Sequence, residues 1–130
     1  MEEFERNYLP EASTPRAWTL VQASQLLPPA GTHPRSTAVY RHGTLLLKLF
    51  APRGIDPQQP HTQDELYIVA RGQGTFVNGN ARHAFGPGDA LFVPAGVTHR
   101  FEEFSDDVLL WVVFYGPAGG DRAQGDGRDG

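Results

Sequence analysis

The chain contains no cysteine, which narrows its chemistry before any motif is read. Disulfides, thiolate nucleophiles and cysteine-ligated metal clusters are all excluded. Any bound metal must be held by His, Asp, Glu, Gln or backbone oxygens. Long hydrophobic runs are missing too: nothing approaches the ~18 apolar residues of a membrane-spanning helix, so no membrane partner is expected. Basic residues are few and scattered. Eleven Lys and Arg stand against fifteen Asp and Glu, a formal net charge of −4. No basic stripe exists to neutralise a row of phosphates and no helix-turn-helix pattern is present, so nucleic acid is not an expected partner. The opening "MEEFERNYLPE" is acidic and lacks the apolar core of a secretory signal, which gives a cytoplasmic expectation. Ten arginines against the single Lys48, with abundant Gly, Pro and Ala, point to a GC-rich bacterial genome.

A chain of 130 residues suits one domain. At that size it buries roughly two-thirds of its unfolded surface, enough for one core. Residues 1–35 are punctuated by Pro10, Pro15, Pro28 and Pro29, with apolar patches at Trp18–Val21 and Leu26-Leu27. They read as a peripheral segment packing on the main fold, as a strand or a short helix. Residues 36–116 hold short runs rich in Val, Leu, Phe, Tyr and Ile: "TAVYR", "TLLLKLF", "ELYIVA", "TFVNG", "ALFVP", "HRFEEF" and "VLLWVVFY". Gly, Pro, Asn or Asp separates most of them, which is the sequence form of an all-β sandwich or barrel. Asn78-Gly79 suits a type I′ hairpin turn, and Gly86-Pro87-Gly88-Asp89 suits another tight turn. Residues 117–130, rich in glycine and charge with no apolar anchor, read as a disordered tail.

One stretch, "QQPHTQDELYIVARGQGTFVNG", departs from this plain pattern by placing Gln59, His61 and Glu65 beside an alternating apolar run. The three share parity, so on one continuous strand they face the same side. Four residues of extended strand span about 13 Å, whereas two ligands of one ion bring their donor atoms within ~3 Å of each other. His61 and Glu65 therefore share an ion only if the chain turns between them, and Thr62-Gln63-Asp64 is turn-compatible. Downstream, "GDALFVPAGVTHRFEEF" runs through the Pro94-Ala95-Gly96 bend to His99 at the start of another strand. Strand mouths of a barrel face each other, so His99 can complete a His-His-Glu set with Gln59 as a weak fourth ligand.

The two blocks resemble the paired motifs of the cupin superfamily. The first family pattern, G-x5-H-x-H-x3,4-E-x6-G, is matched by Gln59-x-His61-x3-Glu65-x6-Gly72, and the second, G-x5-P-x-G-x2-H-x3-N, by Gly88-x5-Pro94-x-Gly96-x2-His99-x3-Glu103. The resemblance covers residues 37 to 115. It implies a double-stranded β-helix, or jelly-roll barrel, with one divalent metal (Fe, Mn, Zn or Ni) at His61, Glu65 and His99. It also implies a homodimer, with "AWTLVQ" as the strand to pair. Two departures stand out: Gln59 replaces the first histidine and Glu103 the terminal asparagine. Gly54 also lies one residue closer to the histidines than the pattern has it. Two histidines and one carboxylate remain the facial set of non-haem Fe(II) oxygenases.

Against these readings stand plainer ones: His61, Glu65 and His99 as polar strand-end residues of a metal-free barrel, and Gln59 as a hydrogen-bond partner behind the ligands. Gln63, Asp64 and Glu103 read as turn and rim residues, and His33, His42 and His83 as exposed. The aromatics Phe76, Phe85, Phe92, Trp111, Phe114 and Tyr115 read mostly as core. Tyr67 and Phe101, each two residues after a candidate ligand, are candidate pocket walls. Three functions follow: a metal-dependent enzyme acting on a small organic molecule by oxygenation or isomerisation, a non-enzymatic module that binds or senses a small ligand, and a storage role. The last fits a short chain least.

Overall fold

The computed structural model describes residues 17–56 and 58–122. One short helix precedes eight strands in that span: α1 (Leu20–Ser24), β1 (Ser36–His42), β2 (Leu45–Phe50), β3 (Asp64–Arg71), β4 (Gly74–Asn78), β5 (Ala81–Phe85), β6 (Ala90–Val93), β7 (His99–Glu102) and β8 (Leu109–Tyr115). They form two antiparallel sheets, one ordered β1-β2-β8-β3-β6 and the other β5-β4-β7. This is an all-β fold, as the strand spacing predicts, in the jelly-roll barrel form that the cupin resemblance implies.

The larger sheet is covered on both faces at β2 and β8, which explains the nearly unbroken apolar runs of these two strands. Its inner face and the smaller sheet enclose one core built on Phe50, Tyr67, Val69, Phe76, Phe101 and Val112. Tyr67, Phe76 and Phe101 pack edge-on or tilted at ring distances of 4.9 to 5.7 Å, a geometry worth ~1 kcal/mol per pair beyond the area buried. A second cluster lies on the outer face, where Val39, Leu49 and Leu109 meet Trp18, Leu20, Leu26 and Leu27. β2 serves both: Leu47 and Leu49 face the outer cluster, so Lys48 and Phe50 face inward with period two. β6 has no outer cover, and Phe92 is exposed there while Leu91 and Val93 are buried.

Several expectations need correction. "AWTLVQ" is not a strand: Thr19 caps α1 through a reciprocal pair with Gln22, its side chain accepting the Gln22 N–H while Gln22 Oε1 accepts the Thr19 N–H. The hairpin turn is shifted by one residue. Asn78 still pairs with Ala81, so Gly79 and Asn80 are central. Gly79 has φ +60 and Asn80 has no positive φ, the pattern of a type II′ turn. Residues 117–122, expected to lack order, are tied to the barrel mouth: Gly119 N–H donates to the Thr62 carbonyl and Asp121 N–H to Asp64 Oδ2. The rest of the expected tail, and residues 1–16, lie outside the described residues.

Gly72, which ends the first motif, has a physical reason to be glycine. Its φ is +88, and a Cβ there would stand 2.5 Å from Val108 Cγ2 and 2.7 Å from Val108 Cα. The β3–β4 turn therefore closes directly against the loop before β8.

Candidate metal centre

The Thr62-Gln63 bend lets β3 begin at Asp64, so Glu65 points inward from the second position of the strand. β7 begins with His99, entering from the opposite sheet. His61 precedes the bend. Its carbonyl accepts the Gly96 N–H at 2.8 Å, which fixes the first motif against the Pro94–Gly96 bend of the second. Asp64 reinforces that joint, its Oδ1 accepting the Ala95 N–H at 2.9 Å.

The outcome is a cluster. One donor atom from each of His61, Glu65 and His99 lies within 4.8 Å of the other two. Glu65 Oε1 is 3.2 Å from His99 Nε2 and 3.7 Å from His61 Nε2. Glu65 and His99 are fully buried, and His61 is about one-third exposed on the cavity side. The His61 ring stacks edge-on to Phe114 at 4.9 Å.

The donor set fits a divalent ion on two counts. First, Glu65 Oε1 is buried and accepts no well-formed hydrogen bond, an uncommon state for a carboxylate oxygen unless an ion completes it. Second, His99 Nδ1 lies 3.0 Å from the Val97 carbonyl. The Nδ1–H donates there, leaving Nε2 directed at the cluster as a ligating nitrogen requires.

A relay of polar groups stands behind the cluster. Asp56 is buried, and its Oδ2 accepts the Phe101 N–H at 2.9 Å and Gln58 Nε2 at 2.8 Å. With its amide nitrogen so committed, Gln58 turns Oε1 to the Tyr67 hydroxyl at 3.2 Å and to His61 Nε2 at 3.3 Å. The Tyr67 hydroxyl reaches His99 Nε2 at 3.1 Å. Burial, then the Glu65 charge, pushes the Tyr67 hydroxyl well above its usual range, so it stays protonated. Burial raises the Asp56 carboxyl against the pull of its two donors. The two histidines diverge. Burial lowers His61 more than Glu65 raises it. Burial also opposes charge on His99, but there the Glu65 carboxylate and the Val97 carbonyl outweigh it, and the imidazole is raised.

Of the residues singled out from sequence, His61, Glu65 and His99 come together. Gln59 lines the same cavity but makes no hydrogen bond among the described residues. The polar contacts expected of it belong to its neighbour Gln58. The physical reason is that residues 58–61 are not a strand, so a period of two does not apply. Tyr67 lines the cavity. Phe101 does not: its ring packs behind Tyr67 at 5.0 Å, nearly perpendicular, among Phe76 and Phe85. His33, His42 and His83 are exposed, though His33 stands at the cavity mouth.

The cavity over the cluster measures about 310 Å³, the lower end of small-molecule sites. Its walls include Phe50, Val112 and Phe114, and Pro52, Arg53, Ile55, Gln58 and Gln59 also line it. Lys48, conspicuous in the sequence only as the lone lysine, also lines it. The available signal was a charged residue at an inward position of an otherwise apolar strand.

Comparison with known proteins places this geometry in a family. A family model described as a cupin domain matches residues 46–115, more than half of the chain. An uncharacterized protein of Streptomyces coelicolor is 40% identical over 62 residues, covering 48% of this chain and 59% of that protein. The HTH-type transcriptional activator RhaS of Mannheimia succiniciproducens is 32% identical over 69 residues, covering 53% of this chain and 26% of the activator. The chain thus matches less than two-thirds of the length of either curated relative. Among solved structures, KdgF from Halomonas sp. superposes with a TM-score of 0.59 at 17% identity, over 68% of this chain and 84% of that one. That likeness is one of fold. Among the described residues no helix is long and apolar enough to cross a membrane.

Proposed function

Because this chain belongs to the cupin domain family, we propose that it is a metal-dependent cupin acting on a small organic molecule, by oxygenation or isomerisation. The observation that carries the reading is the convergence of His61, Glu65 and His99, with one donor atom of each within 4.8 Å of the other two, around a buried carboxylate oxygen that accepts no well-formed hydrogen bond. These three residues hold the ion, and Gln59 at the cavity mouth is the candidate fourth ligand. A bound divalent ion supplies Lewis acidity, and redox chemistry if it is iron or manganese.

The chain's own groups do the rest. Phe50, Val112 and Phe114 give the ligand an apolar seat and exclude water. Tyr67 keeps its proton and donates it to Gln58 Oε1 at 3.2 Å. Its hydroxyl stands 3.1 Å from His99 Nε2, so it borders the cluster and would donate to a ligand oxygen only by exchanging Gln58 for that acceptor. Gln58, fixed by Asp56, limits the positions the hydroxyl can take.

A second reading, a binding or sensing module without turnover, is favoured by the match to part of a transcriptional activator. Turnover of any substrate separates the two.

The test of the site is metal content by mass spectrometry on untagged protein purified without added metal or chelator. About one equivalent of a single transition metal is expected in the wild type, and none in Glu65→Gln. A wild type that carries no metal, and whose melting temperature is unmoved by Fe(II), Mn(II), Ni(II) and Zn(II), overturns the metal reading.

A further inference from the structure

Lys48 is out of place in an ordinary core. It lies in the middle of β2, pairs with Val112 of β8 and Ala38 of β1, and lines the cavity beside Phe50. Among the described residues its ammonium makes no hydrogen bond and no ion pair. Burial lowers its pKa, and the one acid that acts on it is Glu65, already facing two histidines. Placing an ammonium group on an apolar wall without a counter-ion is costly, and a methionine or leucine would fill the same position without that cost.

The other charges around the cavity point the same way. Arg35 and Arg53 line its mouth with Lys48 deeper in, against Asp56 and Glu65 as the only acids among the lining residues. Neither acid forms an ion pair with them. Asp56 is turned to the Phe101 N–H and the Gln58 amide, and Glu65, which acts on Lys48 only at a distance, faces the two histidines. Nor are the arginines held by carboxylates. Arg35 Nε donates to the Pro28 carbonyl, and Arg53 Nη1 to the carbonyls of Pro52 and Val108. Each arginine thus stays at the mouth without a carboxylate in hydrogen-bond contact, though Asp106 and Asp107 act on Arg53 at a distance. Three cations against two acids leave the lining with an excess of positive charge, and a concave, low-dielectric pocket with such an excess favours ligands of the other sign.

We propose that the ligand of this cavity is a small organic acid whose carboxylate is received by Lys48, with its apolar part against Phe50, Val112 and Phe114. A phosphate fits less well. Only one cation, Lys48, lies at depth among the described lining residues, beside the apolar walls of Phe50, Val112 and Phe114, whereas a phosphate calls for several donors around its oxygens. Arg35 and Arg53 steer the acid inward. The inference rests on the ligand-binding reading above but not on the ion, since Lys48 is not one of its ligands.

The test is calorimetric binding of benzoate, phenylacetate and succinate, each against its neutral amide, to zinc-loaded and to chelator-treated protein. At least one acid is expected to bind tenfold or more tightly than its amide. Lys48→Met should abolish that preference while leaving zinc content at the wild-type level, and Lys48→Gln serves the same purpose should the methionine variant not fold. Arg35→Gln should lower the association rate more than it raises the dissociation rate. Acids that bind no better than their amides, or a preference that survives in the Lys48 variants, overturn the proposal. Zinc content is read separately. A protein that takes up no zinc yet prefers acids through Lys48 loses the metal reading and keeps this one, and the converse result does the opposite.

Discussion

Glu65 of β3 and His99 of β7 meet at 3.2 Å between Oε1 and Nε2, and their strands belong to different sheets. The contact is therefore a cross-link through the barrel as well as half of a ligand set. The two roles separate by mutation. His99→Ala leaves a buried carboxylate without its nearest ionic partner, with the more distant His61 as the remaining one. Removing one partner of a buried pair costs about 3–5 kcal/mol, so the chelator-treated variant should lose that much in urea unfolding. Glu65→Gln should cost far less, because a neutral His99 keeps the Val97 carbonyl and the Tyr67 hydroxyl. Both variants should lose metal affinity by more than ~100-fold, the upper range already seen for residues that only support ligands. Equal stability losses in the two would contradict the cross-link.

The opposite shifts of the two histidines give metal-free protein a stability maximum in pH. His99 is raised above its unfolded value, so its contribution is fully present below about pH 6.5 and is lost as pH rises through the folded value. His61 is lowered, so stability falls as pH drops from about 6.5 through its folded value. Melting curves of chelator-treated protein should peak near the ordinary histidine pKa. His99→Gln should flatten the alkaline limb and His61→Gln the acid limb. Taking differences between variants cancels the other groups, including the raised Asp56. Bound metal should reverse the alkaline limb, since ligation needs both imidazoles neutral. A curve whose limbs ignore both substitutions would falsify this assignment.

The strands and the two motif blocks were legible because period-two alternation and turn chemistry are local properties. Glu65 and His99 could be read for the same reason: each sits at a fixed offset from a turn, Glu65 after Thr62-Gln63 and His99 after Pro94–Gly96. Gln58 was not legible. It lies in an irregular segment whose conformation is set by Asp56 reaching the Phe101 N–H, 45 residues away in sequence, and no local pattern reports such a contact. The helical form of residues 20–24 was hidden because an isolated five-residue helix has little intrinsic stability. Docking onto Val39, Leu49 and Leu109 sustains it.

Gln58 and Gln59 are adjacent in sequence but should behave differently. Gln58→Ala leaves Asp56 with one donor fewer and the Tyr67 hydroxyl without that acceptor, a loss of about 1–3 kcal/mol for buried groups left unpaired. It should lower stability with and without metal. Gln59 is exposed and makes no hydrogen bond among the described residues, so Gln59→Ala should leave the metal-free protein unchanged, within ~0.5 kcal/mol. If Gln59 is the fourth ligand, the same substitution weakens metal binding measurably in a competitive chelator titration. An unchanged titration would leave three protein ligands and remove Gln59 from the site.

Glu103 closes the second motif with φ +51, the only positive φ at a non-glycine residue among those described. A Cβ makes that conformation costly, whereas asparagine, the residue of the family pattern at this position, tolerates it. Nothing else requires glutamate there. Glu103 is exposed, and its one ionic contact, to Arg82 at 4.0 Å, is long and solvated, worth little. Glu103→Asn should therefore stabilise the fold by about 1 kcal/mol, read as a rise in the urea midpoint at constant slope. Glu103→Val should do the reverse, since a β-branched side chain suits a positive φ least. The metal content of both should match the wild type, because the turn lies at the far end of β7 from His99. Should the two variants prove equally stable, the backbone at this turn carries no strain, and the departure from asparagine needs another cause.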